Sequence, residues 1–374
     1  MPTVSRIAAV CAAAATVAVT GVATAAGAAG VPGPAFLSRF HTISTVASTV
    51  PFNGDVNPYG TAVVARSTGH LKAGDVLISN FNAMSNLQGT GSTIVQISPS
   101  GHRTLFAHIT PSALPGSCPG GVGLTTALVE LRAGWVIVGS TPSVNGQAAT
   151  SNAGCLIVLD SQGQVRETIA GHGINGPWDA TVLDQGSSAS LFVTNVLNGT
   201  VAGNGAVVHR GTVLRIGLAV SATSPPKVLS VTKIGSRFAE QTSSTAFVLG
   251  PTGIGLGRGG MLFVADTAAN RITAIPDAAH RLTSAGNGLT ITTGGALSAP
   301  LGLAIAPNGD VLTVNGGNGK IVETTPGGQQ IATRFLDRSS SPPGSGALFG
   351  LAVAPAASGV YYVDDAVNTL RLLH

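Results

Sequence analysis

The chain has 374 residues, of which 51 are glycine and only 9% are charged. So few charges exclude a fold built from long amphipathic helices, which need a polar face toward water. The Lys and Arg residues behind the net charge of +4 are scattered, so no basic patch of the kind that binds nucleic acid is present in the sequence. Abundant glycine with Val, Ile, Leu and Thr instead predicts many short strands joined by tight turns, an all-β fold.

The N-terminus has the pattern of a secretory signal peptide. Arg6 supplies a positive charge, the apolar run Ile7 to Val19 follows, and Ala23-Thr24-Ala25 is a small-x-small cleavage candidate. The apolar run is short for a permanent membrane span, although an uncleaved anchor is the alternative. We therefore expect residues 1–29 to be a signal peptide and residues 30–374 to form one exported domain, secreted or periplasmic, without a membrane span after cleavage.

One phrase recurs six times in the remaining chain. It reads Pro-x-Gly-apolar-x-apolar, then a gap and a Gly, then three or four apolar residues that end in Asp or Asn. The residues at or aligned with its glycine are Gly60, Gly123, Asp179, Gly253, Gly302 and Gly350, spaced by 63, 56, 74, 49 and 48 residues. Periods near 40 to 50 residues with strand-like patterns are typical of propeller blades. The longer spacings indicate loop insertions, such as residues 82–91 and 142–152.

The clearest copies contain four strands each. After the second strand of one copy comes Arg271 to Ile275, and after that of the next comes Lys320 to Thr324, followed by a Pro-Gly-Gly turn and a fourth strand, Gln330 to Phe335. Four antiparallel strands make one blade, so the sequence predicts a six-bladed β-propeller. An α/β sheet is the competing fold, but helical patterns between the strands are missing.

The two ends of the chain are predicted to share one blade. The last copy stops at His374 after three strands, and a spare strand, Phe40 to Ala47, precedes the first copy. Pairing the spare strand with the last blade would close the ring and remove two exposed sheet edges.

Two cysteines, Cys118 and Cys155, remain after the expected cleavage. In an exported protein such a pair predicts a disulfide, and a reduced buried pair is the alternative.

The repeat phrase resembles the NHL-repeat family of six-bladed propellers, most closely in Pro251 to Ile275 and in Pro300 to Glu323. That resemblance implies a blade and not an activity. The senescence-marker/gluconolactonase-like propellers are similar; they are metal-dependent hydrolases whose amide and carboxylate ligands lie at or near the x of Pro-x-Gly. The x positions here are Tyr59, Val122, Trp178, Thr252, Leu301 and Phe349. None is an amide or a carboxylate, which argues against a metal site of that kind.

The same x positions predict a binding site, because the first strands of all six blades begin around one mouth of the central channel. Tyr59, Trp178 and Phe349 would line this mouth, with Asp179 and His172 as nearby polar groups. Aromatic walls with a few polar atoms suit a sugar ring or an apolar ligand. In the alternative interpretation the rings fill the channel as core and His172 is simply solvated.

A second set of residues ends the second strand in five of the six copies and carries oxygen atoms that a divalent cation could use. These residues are Asn80, Asn195, Asp266, Asn315 and Asp364. Side chains of this type also bond their own backbone and shape the following turn, which is the alternative role. No other cofactor is expected.

The sequence thus favours an exported, NHL-like propeller, expected to be a monomer, that binds a small molecule or a protein partner at the channel mouth. A metal-dependent lactonase-type hydrolase and a scaffold that binds proteins at its rim are the alternatives. Whether the protein is an enzyme stays open.

Overall fold

The computed structural model describes residues 33–374, so the expected signal peptide, residues 1–29, lies outside the described residues. The described chain forms 25 strands and seven short 3-10 turns. None of its helical segments is long and apolar enough to cross a membrane.

Six antiparallel sheets form the six expected blades. Blade 1 contains β2 (Val56–Val63), β3 (Val76–Asn82), β4 (Thr93–Ile97) and β5 (Arg103–His108). Blade 2 contains β6 (Leu124–Glu130), β7 (Val136–Ser140), β8 (Cys155–Leu159) and β9 (Val165–Ile169). Blade 3 contains β10 (Gly176–Asp184), β11 (Ser188–Val196), β12 (Val208–Ala219), β13 (Lys227–Ser243) and β14 (Phe247–Leu249). Blade 4 contains β15 (Pro251–Leu256), β16 (Leu262–Asp266), β17 (Arg271–Ile275) and β18 (Leu289–Thr293). Blade 5 contains β19 (Pro300–Ile305), β20 (Val311–Asn315), β21 (Lys320–Thr324) and β22 (Gln330–Phe335).

Blade 6 joins both ends of the chain, as expected. It contains β23 (Leu348–Val353), β24 (Val360–Asp364), β25 (Thr369–Leu373) and the N-terminal strand β1 (Ile43–Ser48). Strand β1 pairs antiparallel with β25. The 3-10 turns are Phe36–Arg39, Pro111–Ala113, Ala148–Thr150, Val201–Gly203, Arg258–Gly260, Thr267–Ala269 and Pro355–Ala357. The closing strand begins three residues later than expected because Phe36, Leu37 and Phe40 pack into the core beside blades 5 and 6.

The six first strands contact one another in sequence, and the last of them contacts the first, which closes the ring. Their close approach explains the repeated glycine. A Cβ atom on Gly253 would lie 2.1 Å from the carbonyl oxygen of Leu301, and one on Gly302 would lie 2.0 Å from that of Phe349. A side chain at these positions would force neighbouring blades apart.

The structure corrects the repeat alignment in blade 2. Leu124 pairs with Ser140 as Pro58 pairs with Asn80, and a bulge follows each pair. The residue equivalent to Gly60 is therefore Thr126, three residues beyond Gly123. The x position of blade 2 is Thr125 instead of Val122. The sequence is misleading here because the connection before β6 is itself glycine-rich.

The disulfide is present. Cys118 and Cys155 are bonded, with their Cα atoms 5.3 Å apart. The bond ties the connection before β6 to the start of β8, and both loop insertions expected from the spacing lie between strands, before β4 and before β8.

Candidate functional site

Five aromatic side chains fill one mouth of the channel, and we call them the aromatic layer: Tyr59, Phe81, Trp178, Phe247 and Phe349. Tyr59 lies between Phe81 and Phe349, with ring centroids 4.5 and 4.1 Å away. Trp178 lies parallel to Phe247 at 6.0 Å and meets Tyr59 edge-on. Stacked and edge-on pairs of this kind stabilise beyond the area they bury.

The aromatic layer is part of the core. Tyr59 is 2% exposed and Trp178 is 3% exposed, and both pack with Val196 and Val248. The rings therefore pack as core, as the alternative interpretation of the sequence expects. Three of these rings, Tyr59, Trp178 and Phe349, also line an open cavity, so a ring can belong to the core and to a pocket wall at once.

Two members of the aromatic layer were missed by the sequence analysis. Phe81 follows the end residue of the expected second strand by one position. Phe247 comes from the hairpin β13–β14, an addition to blade 3 that folds over the channel mouth. Its φ of +62° is rare for a residue with a large side chain, and the surrounding packing holds it there. The long third spacing of 74 residues was the one sequence signal of this addition.

Above the aromatic layer lies a cavity of about 310 Å³, which we call the mouth pocket. Its floor includes Tyr59, Trp178, Phe349 and Leu301. Two loops meet over it, because the Gln88 side-chain amide in the loop after β3 donates a 2.9 Å hydrogen bond to the carbonyl of Thr245 in the β13–β14 hairpin. These loops connect blades that are not neighbours in the ring.

The polar wall of the mouth pocket contains unpaired acceptors. The side-chain carbonyl oxygens of Asn57, Asn82 and Gln88 have no hydrogen-bond partner within residues 33–374. Asn57 is 6% exposed and Asn82 is 2% exposed. Buried oxygens without a protein partner need a bound water or a ligand to satisfy them.

One carboxyl, that of Asp365, also lines the mouth pocket. Burial, with the neighbouring charge of Asp364 as a smaller cause, raises the pKa of Asp365 to about 7. Burial and the charge of Asp365 in turn raise the pKa of Tyr59, so the phenol keeps its proton at neutral pH.

Asp179 lies at a different place from the one expected. It lines a second cavity of about 330 Å³ at the opposite end of the channel, which the later parts of the first strands surround. Its carboxylate accepts hydrogen bonds from the backbone N–H groups of Ala180 (2.8 Å) and Ile254 (3.2 Å). Burial raises the pKa of Asp179 well above its usual range, and it raises that of Glu130 in the same cavity to about 7.

His172 does not line the mouth pocket. It is exposed in a tight turn between β9 and β10 and lines a shallow groove with Glu167 and Lys227. This placement agrees with the alternative of a solvated histidine.

The five residues that end the second strands are fully buried and bond to neighbouring strands and connections of their own blades. Asp266 pairs with Arg271 at 2.8 Å, and Asp364 pairs with Arg371 at 2.9 Å. The side-chain oxygen of Asn195 accepts the backbone N–H groups at 175 and 176, and the amides of Asn80 and Asn315 each donate to a backbone carbonyl. Across residues 33–374, no three His, Cys, Asp or Glu side chains are grouped as metal ligands.

The corrected x positions do not fit the metal site that the resemblance implies. They are Tyr59, Thr125, Trp178, Thr252, Leu301 and Phe349, without an amide or a carboxylate. The two hydroxyls are engaged: Thr125 donates to the carbonyl of Pro177 at 2.7 Å, and Thr252 lies 2.7 Å from the hydroxyl of Thr267. A divalent cation prefers several oxygen ligands with charge, and these positions do not supply them.

Fold and site together define a six-bladed β-propeller with a pocket at one mouth of its channel. Comparison with solved structures finds the same architecture in proteins with different activities. A gluconolactonase from Xanthomonas campestris matches with a TM-score of 0.55, 12% identity and 88% of each chain covered. The calcium-binding protein regucalcin from Agrobacterium tumefaciens matches with a TM-score of 0.54 and 15% identity, over 88% of this chain and 93% of the other.

A luciferin-regenerating enzyme matches with a TM-score of 0.54 and 11% identity, over 89% of this chain and 95% of the other. At such identities the likeness shows the fold alone. No model of a protein family matches the chain, and a search of curated proteins finds no match.

Proposed function

We propose that the protein is an exported propeller that binds a small molecule in the mouth pocket. The observation that carries the proposal is the combination of an aromatic floor with unpaired amide oxygens in one cavity of about 310 Å³. Small-molecule sites are concave and mostly apolar, with a few polar groups that orient the ligand. Export follows from the N-terminal pattern, and the disulfide suits an oxidising compartment. The NHL-repeat relationship and the monomeric state stay predictions.

Trp178 offers a direct test, because the chain has only two tryptophans. Trp135 is buried elsewhere, with its indole N–H donating to the carbonyl of Ser221 at 2.6 Å. A Trp135→Phe variant leaves Trp178 as the sole fluorescent reporter at the pocket floor. A screen of ring-containing compounds should then find binders that change its emission in a saturable way.

A blocking variant supplies the control. Ala246 lines the mouth pocket, so Ala246→Phe should fill it and abolish the response. Ala73→Phe adds the same ring to an exposed turn between β2 and β3, at the other end of the blade. It should bind like the parent protein. Binding that survives Ala246→Phe would refute the mouth pocket as the site.

A lactonase-type hydrolase is the second candidate, favoured by the similarity of the fold to that of a gluconolactonase. The uncharged x positions oppose it. Assaying gluconolactone hydrolysis with and without added divalent cations tests it, and a cation-dependent rate would favour it over simple binding.

A protein scaffold that binds at its rim is the third candidate. Among residues 33–374, the most exposed large apolar side chains lie in separate segments: Phe52, Met84, Val144, Leu229 and Leu282. No observation on the described residues favours the rim over the mouth pocket, so we rank this candidate below ligand binding at the mouth.

A further inference from the structure

We propose that the mouth pocket binds a small organic amine in its charged form. In this arrangement the ammonium group approaches Asp365 and the amide oxygens of the wall, and the apolar part of the ligand rests on the aromatic layer. The inference rests on the proposed function, since it names the class of ligand for the same pocket.

The first argument is the sign of the charge. Asp365 is the single charged side chain among the residues that line the pocket within the described chain, and no Lys, Arg or His is among them. This contrasts with the whole protein, in which 19 basic residues outnumber 15 acidic ones. A carboxylate without a neighbouring cation in a half-enclosed cavity favours a positive ligand and repels a negative one.

The groups around Asp365 do not change that sign. Its neighbour Asp364 is already paired with Arg371 at 2.9 Å, and Arg371 also lies 4.0 Å from Asp337. The remaining titratable neighbour, Tyr59, is neutral. Arg371 is therefore shared by Asp364 and Asp337, and Asp365 has no salt bridge to it.

The second argument is the orientation of the wall amides. The Asn82 nitrogen donates to the side-chain oxygen of Asn86 at 2.7 Å, and the Gln88 nitrogen donates to the carbonyl of Thr245 at 2.9 Å. Turning either amide over would place oxygen against oxygen. The nitrogens of Asn82 and Gln88 thus each donate to the protein, while the oxygens of these two residues and that of Asn57 are unpaired in the described chain.

Two wall amides, those of Asn82 and Gln88, have engaged nitrogens and unpaired oxygens, and such groups favour a ligand that donates hydrogen bonds. An ammonium group offers three donors and no acceptor, which matches this wall. A sugar offers hydroxyls that both donate and accept, and a carboxylate or phosphate only accepts. The pocket volume and its aromatic floor suit an amine that carries one ring.

Three probes with the same phenylethyl body test the inference on the mature wild-type protein. They are 2-phenylethylamine (a cation), 2-phenylethanol (neutral) and 3-phenylpropanoate (an anion), with binding measured by calorimetry and ligand-observed NMR. At pH 8 the amine should bind at least tenfold more tightly than the alcohol, and the propanoate should bind more weakly than both.

The pH profile gives an independent readout. With a pKa of about 7, Asp365 is mostly protonated at pH 6 and mostly ionised at pH 8. Alkylamines stay charged until about pH 10. The affinity for the amine should therefore rise about tenfold between pH 6 and pH 8, while that for the alcohol stays constant.

Asp365→Asn should remove both the preference for the amine and its pH dependence without changing alcohol binding. Asp277→Asn, at an exposed position of blade 4, is the matched control and should behave as wild type. Asp365→Ser replaces the first variant if that one fails to fold, and the wild-type pH profile needs no variant.

The outcomes separate the two proposals. Equal or tighter binding of the alcohol or the propanoate, or a flat pH profile for the amine, overturns the cation inference and leaves ligand binding in place. If none of the three probes binds and the Trp178 screen yields no response, the proposed function fails and the inference fails with it.

Discussion

Trp178 belongs both to the packed core and to the lining of the proposed binding pocket. Its ring is almost fully buried against Phe247 and Tyr59, yet it lines the mouth pocket. We expect Trp178→Ala to lower the free energy of unfolding by about 3–5 kcal/mol, because the cavity left behind loses its packing. Trp178→Phe keeps most of the ring contacts and should cost clearly less. Denaturant unfolding measures both, and equal small losses would contradict the packing described here.

The glycines of the repeat make a second prediction at this scale. Gly302→Ala should destabilise the fold strongly, since its Cβ would overlap the carbonyl oxygen of Phe349. Gly327→Ala, in an exposed turn where the nearest atom is 3.8 Å away, should have little effect. Thermal melting of the two variants provides the comparison. Similar melting temperatures would contradict the close approach of the first strands.

Asp310 couples stability to pH. Burial and the adjacent Glu323 raise the pKa of Asp310 to about 6, above its ordinary value near 4. The native state therefore holds a proton that the unfolded chain has lost, so the contribution of this group falls as pH rises from about 4 to about 6. Asp310→Asn should flatten that part of the stability profile, and Asp277→Asn should not. If the stability of Asp310→Asn fell with pH as steeply as that of wild type, the Asp310–Glu323 pair would not be the cause of the pH dependence.

The aromatic residues on the first strands were predictable, and the residues that reach the pocket from loops were not. Tyr59, Trp178 and Phe349 share one position of a repeat, so their meeting at the mouth follows from ring symmetry. Phe247 and Gln88 reach the pocket through a hairpin and a loop that no other blade shares. Their contacts depend on tertiary packing, which periodicity does not encode. Asp179 lies one residue beyond Trp178, at an irregularity in the pairing of β10 with β11, and its side chain lines the other cavity.

At the scale of elements, the N-terminal segment of the described chain is attached to the ring at two places. Strand β1 completes blade 6, and the Glu323 carboxylate accepts hydrogen bonds from the backbone N–H groups of Phe36 (2.6 Å) and Leu37 (2.8 Å). Removing residues 1–48 should expose the outer edge of β25 and cause aggregation. Removing residues 1–32 takes away only sequence outside the described fold and should leave melting unchanged. Light scattering and melting curves test the pair, and equal behaviour of the two truncations would refute the closure.

The disulfide is the second element-level prediction. It encloses a loop with a sequence separation of 37 residues, which in the chain-entropy account stabilises by about 4 kcal/mol. The Cys118→Ser, Cys155→Ser double variant should unfold at correspondingly lower denaturant concentration. Thiol titration of unfolded, unreduced wild type should find neither cysteine free, and two reactive thiols would contradict the bond.

At the scale of the whole molecule, the number of blades and their closure were predictable because the phrase repeats along the chain. The blade 2 register was not, since the glycines around Gly121 imitate the phrase three residues too early. The extra strand of blade 3 also lacked a repeat to reveal it. The ring architecture is thus visible in six copies of the phrase. The loops over the channel mouth occur once each, and their contacts are long-range.

The central claim is that this mouth holds the ligand, and a crystal structure of the mature protein soaked with 2-phenylethylamine at pH 8 tests it most directly. We expect the ring of the amine on the aromatic layer and its nitrogen at hydrogen-bond distance, about 3 Å, from the carboxylate of Asp365. Amine bound in the opposite cavity beside Asp179, with the mouth pocket empty, would contradict the claim.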